Sequence, residues 1–169
     1  MKYLANKLAA SALVLCVVLS SGGSYGCATG NNSAGKINYT KADFDKLRWL
    51  EGDWRGSGAG GQNPFFERYR SAGDAKIEVE SFADSALSKV DGRSSIHLEN
   101  GEIIYKNGAM VWAASRLDDS TVEFAPKEKA TDPFAWHKES ADVWTARLAG
   151  KDAQGKRTET VYRMERIKQ

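Results

Sequence analysis

From Gly52 onward the chain is written in short runs of alternating apolar and polar residues, each cut off by turn residues. "AKIEVESF" sets Ala75, Ile77 and Val79 against Lys76, Glu78 and Glu80. Val122 and Phe124 share one face, as do Trp144, Ala146 and Leu148. After a turn at Gly155, Thr158, Thr160, Tyr162 and Met164 alternate with charged residues and Val161. A period of two places every second side chain on the same side of a strand. Asn100-Gly101 and Asn107-Gly108 each stand between two such runs, a strong short-range signal for a tight hairpin. Nine or ten short strands fit into the run, and no helix long enough for a parallel crossover separates them. The expected fold is all-β, an antiparallel meander of about 8–10 strands. Closing that sheet into a barrel removes its exposed edges, and a sandwich is the runner-up.

The front of this run is "LRWLEGDWRGSGAGGQNP". Phe44, Leu47 and Leu50 recur at spacings of three, which predicts a short amphipathic helix over 43–50 with Thr40 as a cap. Gly56, Gly58 and Gly61 satisfy G-x-G-x-x-G in letters. A dinucleotide fingerprint needs a strand before the glycines and a helix after them, so that helix N–H groups meet the phosphates. Here the helix comes first and a strand-like stretch follows, which argues against a nucleotide site. The glycines are expected to let the first strand bend or end at the barrel mouth.

The 169 residues suffice for one domain. Residues 1–26 read as a signal peptide: Lys2 and Lys7, the apolar run Leu8 to Leu19, then small residues. Residues 27–42 read as a flexible tether and 43–169 as the barrel domain. Gly26-Cys27 resembles the cleavage site of bacterial lipoproteins, in which Cys27 becomes the lipid-modified first residue. Ser24 stands where that pattern has Leu. Ordinary secretion is the alternative. Ala28 after the Cys, with no Asp there, resembles lipoproteins sent to the outer membrane, facing the periplasm. The net charge of +2 falls to zero once Lys2 and Lys7 leave with the signal, and no basic stripe marks a nucleic-acid partner. Cys16 lies in the signal, so Cys27 has no internal partner for a disulfide.

A short helix followed by Gly52-Asp53-Trp54 at the head of a meander resembles the calycin superfamily of lipocalins, fatty-acid-binding proteins and nitrobindin-like proteins. "FFERYR", "VDGRSS", "DPFAW" and "GKRTETVYRMER" are similar to a functionally uncharacterised family of small bacterial lipocalin-like lipoproteins. That family carries N-x-x-H-D-F-P where this chain has Thr131 to Trp136, so no histidine role transfers there. The resemblance implies that Gly52 and Trp54 plug one barrel end and that an arginine of the last strand packs over the indole. Arg166, on the Tyr162/Met164 face, is the expected partner, and Arg163 is the alternative. Nitrobindin-like proteins bind haem through a late histidine. No histidine follows His137, which leaves only Met164 as a soft ligand, and no cofactor is expected.

"FFERYR" places Phe65, Glu67 and Tyr69 on one face. If that face is inward, Glu67 is a carboxyl inside the barrel that needs a partner. Apolar walls with a few fixed polar groups describe a small-molecule site. Glu67, Tyr69, Trp112 and Trp136 are therefore the expected ligand-binding residues, for a small hydrophobic or amphipathic molecule. Two other readings stand beside it. One is an envelope interaction module whose barrel is packed solid. The other is a small barrel enzyme with Glu67 or His137 as base, although nothing like G-x-S-x-G is present. His97 and His137 each alternate with apolar neighbours and are expected on the solvent face, and no spacing picks out a metal cluster. If Cys27 carries the lipid, cells fed radiolabelled palmitate will label the wild-type chain and not the Cys27→Ala variant; equal labelling would remove the anchor.

Overall fold

The computed structural model describes residues 37–58 and 63–168. Cys27, the signal and most of the tether lie outside the described residues, as does Gly61. The described chain is a closed antiparallel barrel of ten strands, with each strand hydrogen-bonded to its sequence neighbours and the last to the first. The strands are β1 (Gly52–Gly58), β2 (Phe65–Ser71), β3 (Lys76–Phe82), β4 (Val90–Glu99) and β5 (Glu102–Asn107). They continue with β6 (Met110–Leu117), β7 (Thr121–Glu128), β8 (Phe134–Lys138), β9 (Val143–Lys151) and β10 (Arg157–Arg166). Alternation decides the two faces. Ile77 and Val79 are buried and Glu78 is exposed on β3, and Trp144, Ala146 and Leu148 are buried on β9.

Turn chemistry sets the register. The β4–β5 loop is Asn100-Gly101, both at positive φ (51° and 76°), as a type I′ hairpin requires. The next hairpin closes one residue later than the Asn-Gly signal indicated. Asn107 pairs with Met110, so the loop is Gly108-Ala109, with Gly108 at φ 59° as in a type II′ turn. β-Bulges near Ser81/Phe82 and along β6 shift the pairing locally and let those strands bend around the barrel.

The front helix is shorter than the sequence pattern indicated. α1 spans Lys41–Asp45 and a 3-10 turn covers Arg48–Leu50. Thr40 and Asp43 form a capping box at the start of α1. The tighter turn has a reason. At three residues per turn, side chains three apart align, so Phe44, Leu47 and Leu50 all reach full burial under the barrel. Ahead of α1, the Tyr39 N–H donates to the Gly101 carbonyl (2.8 Å) and Asn38 packs over Gly101.

β1 and β10 close the barrel. Trp54 and Arg166 face one another across that seam, and the Arg166 guanidinium lies 4.2 Å from the indole centroid. Its Nη1 donates to the Glu51 carbonyl (2.8 Å) and its Nε to the Ala141 carbonyl (3.1 Å). The fully buried indole donates its own N–H to the Leu50 carbonyl (2.7 Å). One side chain thus ties the closing seam, the 3-10 turn and the β8–β9 loop together. Arg163 instead points outward to Glu139. Gly52 sits at φ 142°, and a Cβ there would run into the Arg166 guanidinium. Two costs therefore fall on Gly52→Ala: backbone strain of about 1–3 kcal/mol and displacement of Arg166. Trp54→Ala should lose about 3–5 kcal/mol, as expected for a buried aromatic. Urea melts of Gly52→Ala, Trp54→Ala and Arg166→Ala should all shift to lower midpoints, and an unchanged midpoint for any of them would separate that residue from the closure.

Candidate functional site

The inward face of β2 carries Phe65, Glu67 and Tyr69, all buried. The Tyr69 hydroxyl donates to Glu67 Oε2 at 2.7 Å. Burial raises the Glu67 carboxyl above its ordinary value, and the Tyr69 bond offsets part of that rise. Burial likewise pushes the Tyr69 and Tyr105 phenols up, and the nearby Glu67 carboxyl adds to both. The neighbouring Ser94 hydroxyl acts on Tyr105 in the opposite direction. Ser81 lies directly across from Glu67 in the β2–β3 register and is 2% exposed, and its hydroxyl has no hydrogen-bond partner. The result is a polar island of one carboxyl, two phenols and two hydroxyls inside an apolar barrel.

Aromatic rings surround the island. The Tyr69 ring meets Trp136 and Trp144 edge-on, at 6.2 and 5.9 Å between centroids. Tyr105 contacts Trp112, Phe124, Phe134 and Trp136. Of the expected ligand residues, Glu67, Tyr69 and Trp136 come together at this island. Trp112 joins through Tyr105 and is anchored elsewhere, its N–H donating to the Asp132 carbonyl (2.9 Å). The indole nitrogens of Trp136 and Trp144 are buried without partners, and Trp49 adds a third such donor against Trp144. Leaving a buried donor unpaired costs about 1–3 kcal/mol, so the interior retains polar groups that its own fold does not satisfy.

The histidines are elsewhere. His97 bonds to Ser95 (2.6 Å), and His137 lies exposed on the outer face beside Thr121 (3.0 Å). Neither shares the island with Glu67. His137 points outward, and Met164 is buried in the core. Among the described residues no group of three or more His, Cys, Asp or Glu gathers as a metal site.

One cluster escaped sequence reading. On the outer face Asp53 is 5% exposed and accepts from Arg68 (2.8 Å) and Arg70 (2.9 Å), while Arg68 covers the Phe82 ring at 5.2 Å. Asp53 sits between Gly52 and Trp54 and pairs with Arg68 across β1–β2. The alternating charges of "FFERYR" placed both arginines outward, but only the register shows what they meet. Two surface depressions, of about 350 and 210 Å³, open outside the barrel, the larger between β3, β4 and Lys106 and the smaller beside Pro133 and Arg147.

No family model and no curated protein matches the chain. Among solved structures it is similar to a redesigned β-barrel, at 10% identity and a TM-score of 0.37, over 73% of this chain and 96% of that one.

The island makes stability depend on pH. The folded state holds the Glu67 proton more tightly than the unfolded chain, whose glutamates titrate near 4.5. Stability from this group is therefore full below about pH 4.5 and is lost as pH rises toward the folded-state value. Glu67→Gln should flatten that decline, so the variant gains on wild type between pH 4.5 and neutrality in paired urea melts. Parallel curves would mean that Glu67 does not titrate differently on folding.

Proposed function

We propose that this chain is an exported, lipid-anchored, lipocalin-like barrel of the bacterial envelope that binds a small apolar or amphipathic molecule in its interior. Cys27 carries the anchor, and the bound molecule's polar end meets Glu67 and Tyr69 while Trp112 and Trp136 wall its apolar part. Gly52, Trp54 and Arg166 serve the barrel and not the ligand. The observation that carries this reading is the set of buried polar atoms with no partner around Glu67. Native interiors pair such groups with protein, water or ligand, and a ligand that supplies the missing bonds recovers their cost. Apolar walls around a few fixed polar groups are the usual make-up of a small-molecule site.

A second reading has its own support. The rings of Tyr69, Tyr105, Phe124, Phe134, Trp136 and Trp144 form a continuous contact network across the lumen. That arrangement equally suits a filled barrel acting as a non-catalytic interaction module. The two readings part on one measurement. Intrinsic tryptophan fluorescence of the purified protein should change saturably with at least one member of a panel of fatty acids, haem and hydrophobic dyes. The active member should co-elute at one per chain, and Glu67→Leu should weaken it. A flat response with no retained compound would favour the filled barrel.

A further inference from the structure

The unpartnered groups at the island are alike in kind. An indole nitrogen carries an N–H that can only donate, and a serine hydroxyl rotates to donate where it is needed. Trp136, Trp144 and Ser81 are each 2% exposed or less, and the polar atom of each lacks a partner. Tyr69 brings them to one region. Its ring touches both indoles, its hydroxyl holds Glu67 Oε2, and Ser81 stands opposite Glu67 on the next strand. Because Oε2 already accepts from Tyr69, the protonated carboxyl that burial favours would hold its own proton on the other oxygen, as one more donor. The buried polar and charged residues described are Asp53, Glu67, Ser81, Ser94 and Thr145, none of them a cation.

We infer that the interior site selects a small neutral molecule bearing a hydrogen-bond-accepting oxygen, such as an ester, ketone or amide carbonyl, over an amine or a carboxylate of the same skeleton. This rests on the ligand-binding reading above. An amine is charged at neutral pH and would bring donors to a set made mostly of donors, with the Glu67 carboxyl as its one acidic partner. A carboxylate would accept, but it would carry a full charge into an apolar interior that offers no counter-cation. A carbonyl oxygen answers the N–H and O–H groups without a charge to desolvate, and the surrounding ring faces take its hydrocarbon part.

Methyl octanoate, octylamine, octanoate and octane test this on one chain length, titrated at neutral pH into the full-length protein in detergent. Tryptophan fluorescence and ligand-observed NMR give the readout. Methyl octanoate should bind about tenfold or more tightly than the other three, the scale of one or two hydrogen bonds. Trp136→Phe and Trp144→Phe should each weaken the ester several-fold and leave octane unchanged. Ser81→Ala, a smaller change, gives the same comparison if either indole variant fails to fold. Tightest binding by octylamine or octanoate, or equal binding of ester and octane, overturns the selectivity while leaving ligand binding in place. Binding of none of the four, by either readout, overturns both, with ordered water as the partner of the orphaned groups.

Discussion

Arg166 holds this barrel shut. A sheet becomes a barrel only when its first and last strands meet, and here that meeting pairs Trp54 with Arg166. The guanidinium covers the indole on one side and donates to carbonyls from the 3-10 turn side and the β8–β9 loop on the other. The stack alone is worth about 0.5–2 kcal/mol. Its larger consequence is geometric, because it brings together chain ends more than a hundred residues apart in sequence, and every inward-facing residue depends on that closure for its surroundings. Gly52 belongs to the same device, since any side chain there would occupy the guanidinium's place.

Above that plug, the interior joins two tendencies that pull against each other. Aromatic side chains pack edge to face and exclude water, which favours a solid core. Glu67, Ser81 and the indole N–H groups of Trp136 and Trp144 are polar atoms that such a core penalises. Replacing buried polar groups with well-packed apolar ones is often neutral or stabilising in proteins at large. A fold that keeps them in its centre gains little stability from doing so, which is the ground for proposing the island, rather than either outer depression, as the ligand site.

Much of the fold was legible because strands declare themselves locally. Alternation along β3, β7, β9 and β10 assigned their inward residues correctly, since a period of two leaves just two choices. The Asn-Gly pairs marked both hairpins, although the second turn closed on Gly108-Ala109, because a single glycine at positive φ meets the demand of a type II′ turn. Phe44, Leu47 and Leu50 were readable as one face, but not the switch to a 3-10 turn that aligns them. The site was half legible. Glu67 and Tyr69 share a strand, so their common face followed from spacing. Ser81, Trp144 and the Asp53–Arg68–Arg70 cluster are joined across strands, and single-strand patterns carry no register.

The sequence by itself determined that this chain forms short antiparallel strands, which side chains face inward on most of them, and that a G-x-W stretch opens the sheet. Those are properties of neighbouring residues and of backbone sterics. Only the tertiary structure decided that the glycines at Gly56 and Gly58 belong to a strand, and that Arg166 rather than Arg163 covers Trp54. It also decided that a carboxyl, hydroxyls and indole N–H groups from five different strands share one buried interior. Closure is the physical reason. Until ten strands curl round and the last meets the first, residues far apart in the chain have no common environment, and burial, pairing and protonation are properties of that environment.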